Sequence, residues 1–522
     1  MGPHDTLGVQ LPLGDPEFQS AGPSVKALAR PGQDGHRAAL LLVLCTTLLR
    51  IAFGWALGLG VDESYMVSAG RALSLSYYDH PPAAWWLAWG AAHLAGSEMP
   101  LVVRLPFVLL FALSTWLMYR LGAAIADARA GFWAAVLLNL SPVFGVTSGT
   151  WVLPDGPLDC ALLGAALCLV HALDRATLGW WLGAGLCCGL ALLSKYSAAL
   201  VIGGALLYLM SSNRHRHWLV RPQPWLAAMA AGLVFSPVLL WNATHGWASF
   251  AFQGDRAFGR NFQPLAPFVT LAGEALFVLP WIWLPLMAVF VCAIRRGPAE
   301  RRSWLLCCLA APPIVVFALV SAWSGQRVLF HWAAPGYLML FPLLGQAIAL
   351  RVERPLVRRM LAGTAVFVVA ALSVVATQVR FDWLHAAVAS VTRKDPTVEA
   401  VDWTSLHDQL AARGLLHAGT IVGVPNWRDA GKIAIALGPG VTVLCLNRDS
   451  RQFGIAFPPA RFVGNDLLIL APDHPERVPE ELGGSFASLA RISDIEIRHA
   501  GRTLQSVAVF DARHLRAEPP PT

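Results

Sequence analysis

The chain has 522 residues, of which 56% are hydrophobic and only 14% charged. Its mean hydropathy is +0.54, whereas ordinary soluble domains carry roughly 25% charged residues. That deficit excludes a soluble enzyme, a disordered chain and a nucleic-acid binder, despite a formal net charge of +7. It points to an integral membrane protein with many spans, in which 21 Trp and 24 Phe supply interface belts.

Residues 1–37 are polar and rich in Gly and Pro. They are expected to form a flexible cytoplasmic tail. Residues 38–379 then read as the membrane domain. Spanning a bilayer takes about 20 mostly apolar residues. The candidate stretches are 38–57, 101–120, 131–149, 157–173, 178–193, 196–210, 224–243, 266–294, 303–322, 331–350 and 359–378. With the N-terminus inside, nearly every short-loop Arg cluster is cytoplasmic, from Arg120 and Arg129 to Arg295-Arg296, Arg301-Arg302 and Arg351–Arg359. The positive-inside rule therefore favours that orientation. Eight of the nine Cys lie in apolar runs, and neither a disulfide framework nor a metal-type spacing emerges.

The opposite loops hold the acids, the histidines and many aromatics. The first outer loop, 58–100, opens with Asp62-Glu63-Ser64-Tyr65. This acidic pair suits a general base for an acceptor hydroxyl, a cation site, or a merely solvated loop start. Farther on, Tyr77-Tyr78-Asp79-His80-Pro81-Pro82 holds Asp79 and His80 ahead of two prolines that stiffen the chain. Asp and a neutral His can share a metal, and a turn with interface tyrosines explains the motif equally well. Residues 83–89 read as a Trp-rich interfacial helix.

Asp155 and Asp159 share a helix face, as carriers of chemistry or as N-terminal acids favoured by the helix dipole. Lys195 is the sole Lys between residues 27 and 393, and it sits between two apolar runs. It is either functional or snorkelling. The loop around His245, Arg256 and Arg260 combines aromatics with guanidinium groups suited to phosphate or to headgroups. Glu274 stands near the outer end of the next span. His331 and Tyr337 read as interface anchors or as site residues.

Residues 380–522 change character. Short apolar runs at 420–424, 441–446, 466–471 and 504–510 read as strands, and 404–413 as a helix. The fold class is thus a polytopic α-helical membrane protein with a C-terminal extracytoplasmic α/β domain.

Taken together, the loop motifs resemble those of the family-39-type glycosyltransferases of bacteria. That superfamily includes protein O-mannosyltransferases and lipid A aminoarabinose transferases. The resemblance rests on Asp62-Glu63-Ser64-Tyr65, Leu75 through Pro82, Pro154-Asp155-Gly156-Pro157, Leu193-Ser194-Lys195-Tyr196, Trp241-Asn242 through Arg256, and His331-Trp332 with Pro335. It covers about residues 40–350 and implies a GT-C architecture. A sugar would pass, with inversion, from a polyprenyl-phosphate donor to a glycan, lipid or protein acceptor at the outer face of the bacterial inner membrane. The resemblance implies Asp62, Glu63 and Asp155 as catalytic acids. It further implies a divalent metal at Asp79 and His245, and donor-phosphate contacts among His80, Lys195, Arg256, Arg260 and His331. His80 departs from the family, whose lipid A enzymes carry Lys there. A transporter or flippase of lipid-linked sugars is the rival reading, and inverted repeats would favour it; none is found in the sequence.

Overall fold

The computed structural model describes residues 31–257, 262–324, 328–391 and 395–516. Arg260 and residues 1–30 of the expected tail lie outside the described residues. The first helix, α1 (Pro31–Ala56), begins earlier than position 38. Two short helices fill the first loop, α2 (Val61–Ala69) and α3 (Ala83–Ala95). The chain then runs through α4 (Pro100–Ile125), α5 (Ala128–Leu140), α6 (Asp155–Arg175), α7 (Leu178–Ser194), α8 (Ala198–Ser211), α9 (Pro222–Thr244) and α10 (Ala248–Ala257). It continues with α11 (Ala266–Val278), α12 (Pro280–Arg296), α13 (Arg301–Val320), α14 (Ala334–Ala349) and α15 (Pro355–Phe381).

Local chemistry sets many of these boundaries. Pro opens α4, α9, α12 and α15, where its missing N–H costs nothing. The Asp127 carboxylate caps α5 by accepting from the Ala130 N–H at 2.8 Å. Among the described residues, seven helices are long and apolar enough to cross a membrane: α1, α4, α6, α9, α12, α13 and α15. The apolar helices α5, α7, α8, α11 and α14 are shorter. The expected single span 266–294 is two helices. Leu279 has φ +81 and precedes Pro280, so the helical path breaks there.

The loops sort to two ends. At one end Arg302 meets Asp174 and the Ile125 carbonyl, and Arg129 meets Glu353. At the other end the segments around residues 58–100, 152–155, 195–196, 245–256 and 328–333 converge, together with Ser324.

After α15 come α16 (His385–Val391), α17 (Ser405–Ala412), α18 (Trp427–Leu437), α19 (Arg451–Ala456) and α20 (Val478–Leu482), with strands between them. The strands are β1 (Ile421–Val424), β2 (Thr442–Cys445), β3 (Leu467–Ala471), β4 (Phe486–His499) and β5 (Arg502–Leu515). Their order is β2-β1-β3-β5-β4. β1 lies parallel to β2 (Val422 opposite Val443) and to β3 (Val422 opposite Leu468), while β5 runs antiparallel to β3 and β4. The β4–β5 hairpin turns at Ala500-Gly501, with φ +48 and +81; two successive positive φ values match a right-twisted hairpin.

One sheet face packs Leu444, Ile469 and Phe510 against Val478 and Leu482 of α20. The other packs Val422, Val443, Leu470 and Val509 into a cluster that also contains Tyr65, Trp85 and Trp427. The Trp-rich helix α3 is therefore partly a core element, since Trp85 is fully buried and stacks on Tyr77 at 4.3 Å. Contact between α2 and α18 is close. A Cβ on Gly431 would lie 2.7 Å from the Tyr65 nitrogen. Lys432 Nζ donates to the carbonyls of Leu59, Val401 and Glu399 at 2.7, 2.8 and 3.0 Å. The α/β domain is thereby bolted to the loop that carries the acidic pair.

Candidate active site

Helix α2 holds Asp62 and Glu63 in its first turn, where the helix dipole favours acids. Their surroundings then diverge. Glu63 is buried and accepts from Arg104 Nε at 2.8 Å and Nη2 at 2.5 Å. It also accepts from the backbone N–H groups of Gly60 at 2.9 Å and Val152 at 3.0 Å. Burial pushes its carboxyl up, but Arg104 and these donors hold it below the ordinary value. Four donors occupy both oxygens. Glu63, expected among the catalytic acids, thus fastens the loop to α4 and has no lone pair left for a proton.

Asp62 is exposed and, among the described residues, has no hydrogen bond or ion pair. The protein around it pushes its carboxyl above the ordinary value, opposed by Arg428 and Arg451. It is the one member of the pair able to accept a proton from another molecule.

Asp79 is buried. It accepts from the Tyr65 hydroxyl at 3.2 Å and meets Arg451 Nη1 at 3.5 Å. Burial raises its carboxyl to about 6, with Arg451 pulling the other way. Gln253 Nε2 donates to the Asp79 carbonyl at 2.6 Å and ties α10 to this loop. Beside it, His80 is pushed down to about 3 by burial, helped by Lys195, Arg256 and Arg451. It is neutral at any working pH, and its buried Nδ1 has no acceptor or donor among the described residues.

Asp155, the first residue of α6, is buried and receives Lys195 Nζ at 2.9 Å. Lys195 sits just past the end of α7, in the tight link to α8. His331 lies close enough to Asp155, Lys195 and Arg256 to feel their charges. One turn into α6, Asp159 accepts from Ser148 Oγ at 2.6 Å. Arg256 rests on Trp332 (4.8 Å) and Phe252 (5.3 Å), and its Nε is buried without an acceptor among the described residues. The structure thus brings together His80, Asp155, Lys195, Arg256 and His331.

His245 does not join them. It is exposed, stacks on Trp241 at 4.2 Å, and engages the Trp241 carbonyl and Thr244 through Nδ1. Asp79 is meanwhile committed to Tyr65 and Arg451. Among the described residues no group of three His, Cys, Asp or Glu side chains converges as a metal site. Glu274 and Tyr337 form a separate buried pair, with the hydroxyl donating at 2.5 Å.

Sequence reasoning missed the contribution of the C-terminal domain. Arg451 and Gln452 start α19, and Gln452 accepts from the Tyr78 N–H at 3.0 Å while its own N–H donates to the Tyr65 hydroxyl at 3.0 Å. Asp79 and Arg451 lie 372 residues apart, so no local pattern links them.

With this geometry established, the known relatives can be placed. The crystal structure of ArnT from Cupriavidus metallidurans bound to undecaprenyl phosphate superposes with a TM-score of 0.62 at 14% identity, covering 92% of this chain and 99% of that one. The fold is of the GT-C type. Residues 79–241 match the family described as dolichyl-phosphate-mannose-protein mannosyltransferase. The lipid A galacturonosyltransferase RgtD of Rhizobium johnstonii is 26% identical over 309 residues, 58% of this chain and 63% of that protein. The undecaprenyl phosphate-alpha-4-amino-4-deoxy-L-arabinose arabinosyl transferase of Erwinia tasmaniensis is 26% identical over 411 residues, 73% of this chain and 69% of that protein. The chain thus spans just under two thirds of the first relative and slightly more of the second. The expected resemblance and GT-C fold hold, and the apolar helices support a membrane location. The matched region includes Asp79, His80, Asp155 and Lys195 but begins after Asp62.

Proposed function

We propose that this chain is a polyprenyl-phosphate-sugar-dependent glycosyltransferase that acts on an envelope glycan, lipid or protein. The observation that carries the reading is the pairing of one free carboxylate, Asp62, with a cluster of cations and neutral histidines at the same end of the bundle. The named relatives, two transferases of lipid A or undecaprenyl-phosphate sugars, support it.

In this mechanism Lys195 and Arg256 hold the donor phosphate. Asp155 fixes Lys195 in place, and the His80 and His331 rings offer hydrogen bonds without charge. The acceptor approaches from the Asp62 side. As its oxygen bonds to the anomeric carbon, its proton passes to Asp62. The bond from that carbon to the phosphate oxygen breaks, and the departing negative charge meets preorganised cations. Attack opposite the leaving phosphate inverts the sugar carbon. Arg451, Tyr65 and Gln253 position the Asp79–His80 turn.

The positive-inside rule, applied to the Arg clusters at the opposite end, favours a cytoplasmic N-terminus, with transfer and the α/β domain at the outer face. A transporter would need polar groups near the bilayer midplane, whereas here they gather at one end. The test is transfer by purified protein from a radiolabelled polyprenyl-phosphate sugar to envelope lipid. Product from wild type and none from Asp62→Asn, with the donor still bound, is expected. Full activity of Asp62→Asn would sink the assignment of the base.

A further inference from the structure

Two guanidinium groups share the ring of Phe252. Arg256 lies 5.3 Å from its centroid and Arg451, from the C-terminal domain, 5.6 Å. Like charges so placed repel, and the Nε of each arginine lacks a hydrogen bond among the described residues. Arg256 Nε is buried with no acceptor among the described residues. Arg451 Nε is buried too; it lies 3.5 Å from Asp449 Oδ1 but makes no hydrogen bond there. Its Nη1 reaches Asp79 only at 3.5 Å, the outer limit of a hydrogen bond. His80 Nδ1, close enough to feel both charges, is a third buried polar atom without a partner among the described residues. Of the acids nearby, Asp155 is engaged by Lys195 and Asp79 by Tyr65, while Asp62 and Asp449 are exposed.

Arg451 is nonetheless held firmly. Its guanidinium lies 3.8 Å from the Trp427 ring, and its backbone has φ +48, a left-handed conformation unfavourable for a non-glycine residue. Such strain persists where surrounding structure imposes it. Three buried polar atoms on two cations and a neutral ring, none of them hydrogen-bonded among the described residues, describe a cradle short of one anion.

We infer that Arg451 is a donor-phosphate ligand contributed by the C-terminal domain, completing with Arg256 and His80 a phosphate subsite that the helical domain alone leaves half built. This rests on the polyprenyl-phosphate donor reading. It gives the α/β domain a direct part in donor binding, and it supplies near His80 the charge that a neutral ring lacks.

The test uses the full chain in nanodiscs and two probes, undecaprenyl phosphate and undecaprenol, which differ only in the phosphate. Wild type should prefer the phosphate. Arg451→Gln should lose about tenfold or more of that preference, as expected for a charged hydrogen bond. Undecaprenol binding should not change, and Arg451→Lys should recover part of the loss. Arg451→Gly removes the guanidinium without the backbone strain and should behave like Arg451→Gln. Arg491→Gln, which removes a surface charge on β4, should bind as wild type does. Equal weakening toward both probes would show a structural role and overturn the inference. So would an undiminished phosphate preference in folded Arg451→Gln and Arg451→Gly. Wild type that does not distinguish the probes would instead overturn the donor reading itself.

Discussion

The two ends of the helical bundle treat charge in opposite ways. At the end that carries residues 58–100, Glu63–Arg104 and Asp155–Lys195 are buried pairs that join distant segments, with side-chain exposures of 4% and 1%, and 7% and 12%. At the Arg-rich end the pairs stand in solvent, as with Arg129–Glu353 at 63% and 85% and Arg296–Glu300 at 60% and 48%. Burying a charge costs several kcal/mol unless its partners are complete. A fold that carries that cost at one end only has concentrated its electrostatics where charge must be held in place, as active sites do. The exposed arginines need only be positive to orient the chain in a membrane.

The sharpest test of this contrast is Asp62→Asn. Losing a general base should lower transfer about 10²- to 10⁴-fold, with unchanged thermal unfolding in detergent. Glu63→Ala tests the adjacent carboxylate and should show the reverse: a stability loss of about 3–5 kcal/mol from the unpaired buried Arg104. Pairing Glu63→Leu with Arg104→Met should recover part of that loss; equal behaviour of Asp62 and Glu63 variants would break the distinction between them.

A smaller effect is expected for Asp155→Asn, which frees Lys195. The apparent KM for donor should rise about tenfold, the size of one charge-assisted hydrogen bond. An unchanged KM would remove Asp155 from donor binding.

Asp79 gives a pH test. Its carboxyl is raised to about 6 in the folded chain, so folding takes up a proton between about pH 4 and 6. The stability this adds is complete below about pH 4 and lost as pH rises through 6. Asp79→Asn should therefore unfold at a higher temperature than wild type at pH 7.5, and the gap should close toward pH 4. A gap that widens on acidification would reverse the sign. At the Arg-rich end, Arg129→Gln should alter neither transfer nor melting temperature, because its partner Glu353 is more exposed still.

Much of this molecule was legible before its structure. Long apolar runs, and short ones separated by turn residues, are local signals, and they marked the helical region, the C-terminal α/β region and the loops that carry acids, histidines and aromatics. The strand β4, at the sheet edge, escaped notice because its large apolar residues Phe486, Leu489, Ile492 and Ile495 recur every third position instead of every second. The break at Leu279 escaped because residues 266–294 read as one apolar run, and apolar content does not reveal a positive φ.

The candidate site was legible as a list of residues, and their roles were not. Asp62 and Glu63 are neighbours of the same chemical kind, and only Arg104, Val152 and Gly60 tell them apart. His245 and Asp79 each read as a metal ligand, and only the fold shows that one stacks on Trp241 while the other meets Tyr65 and Arg451. By itself the sequence determined that the chain crosses a membrane many times and carries acids, histidines and cations in one set of loops, because those properties depend on composition and on near neighbours. Only the tertiary structure decided which carboxylate is free, which is fastened, and that the C-terminal domain delivers Arg451 to Asp79. Those outcomes depend on pairings across hundreds of residues, where a hydrogen bond or a buried charge is made or lost over a few ångströms.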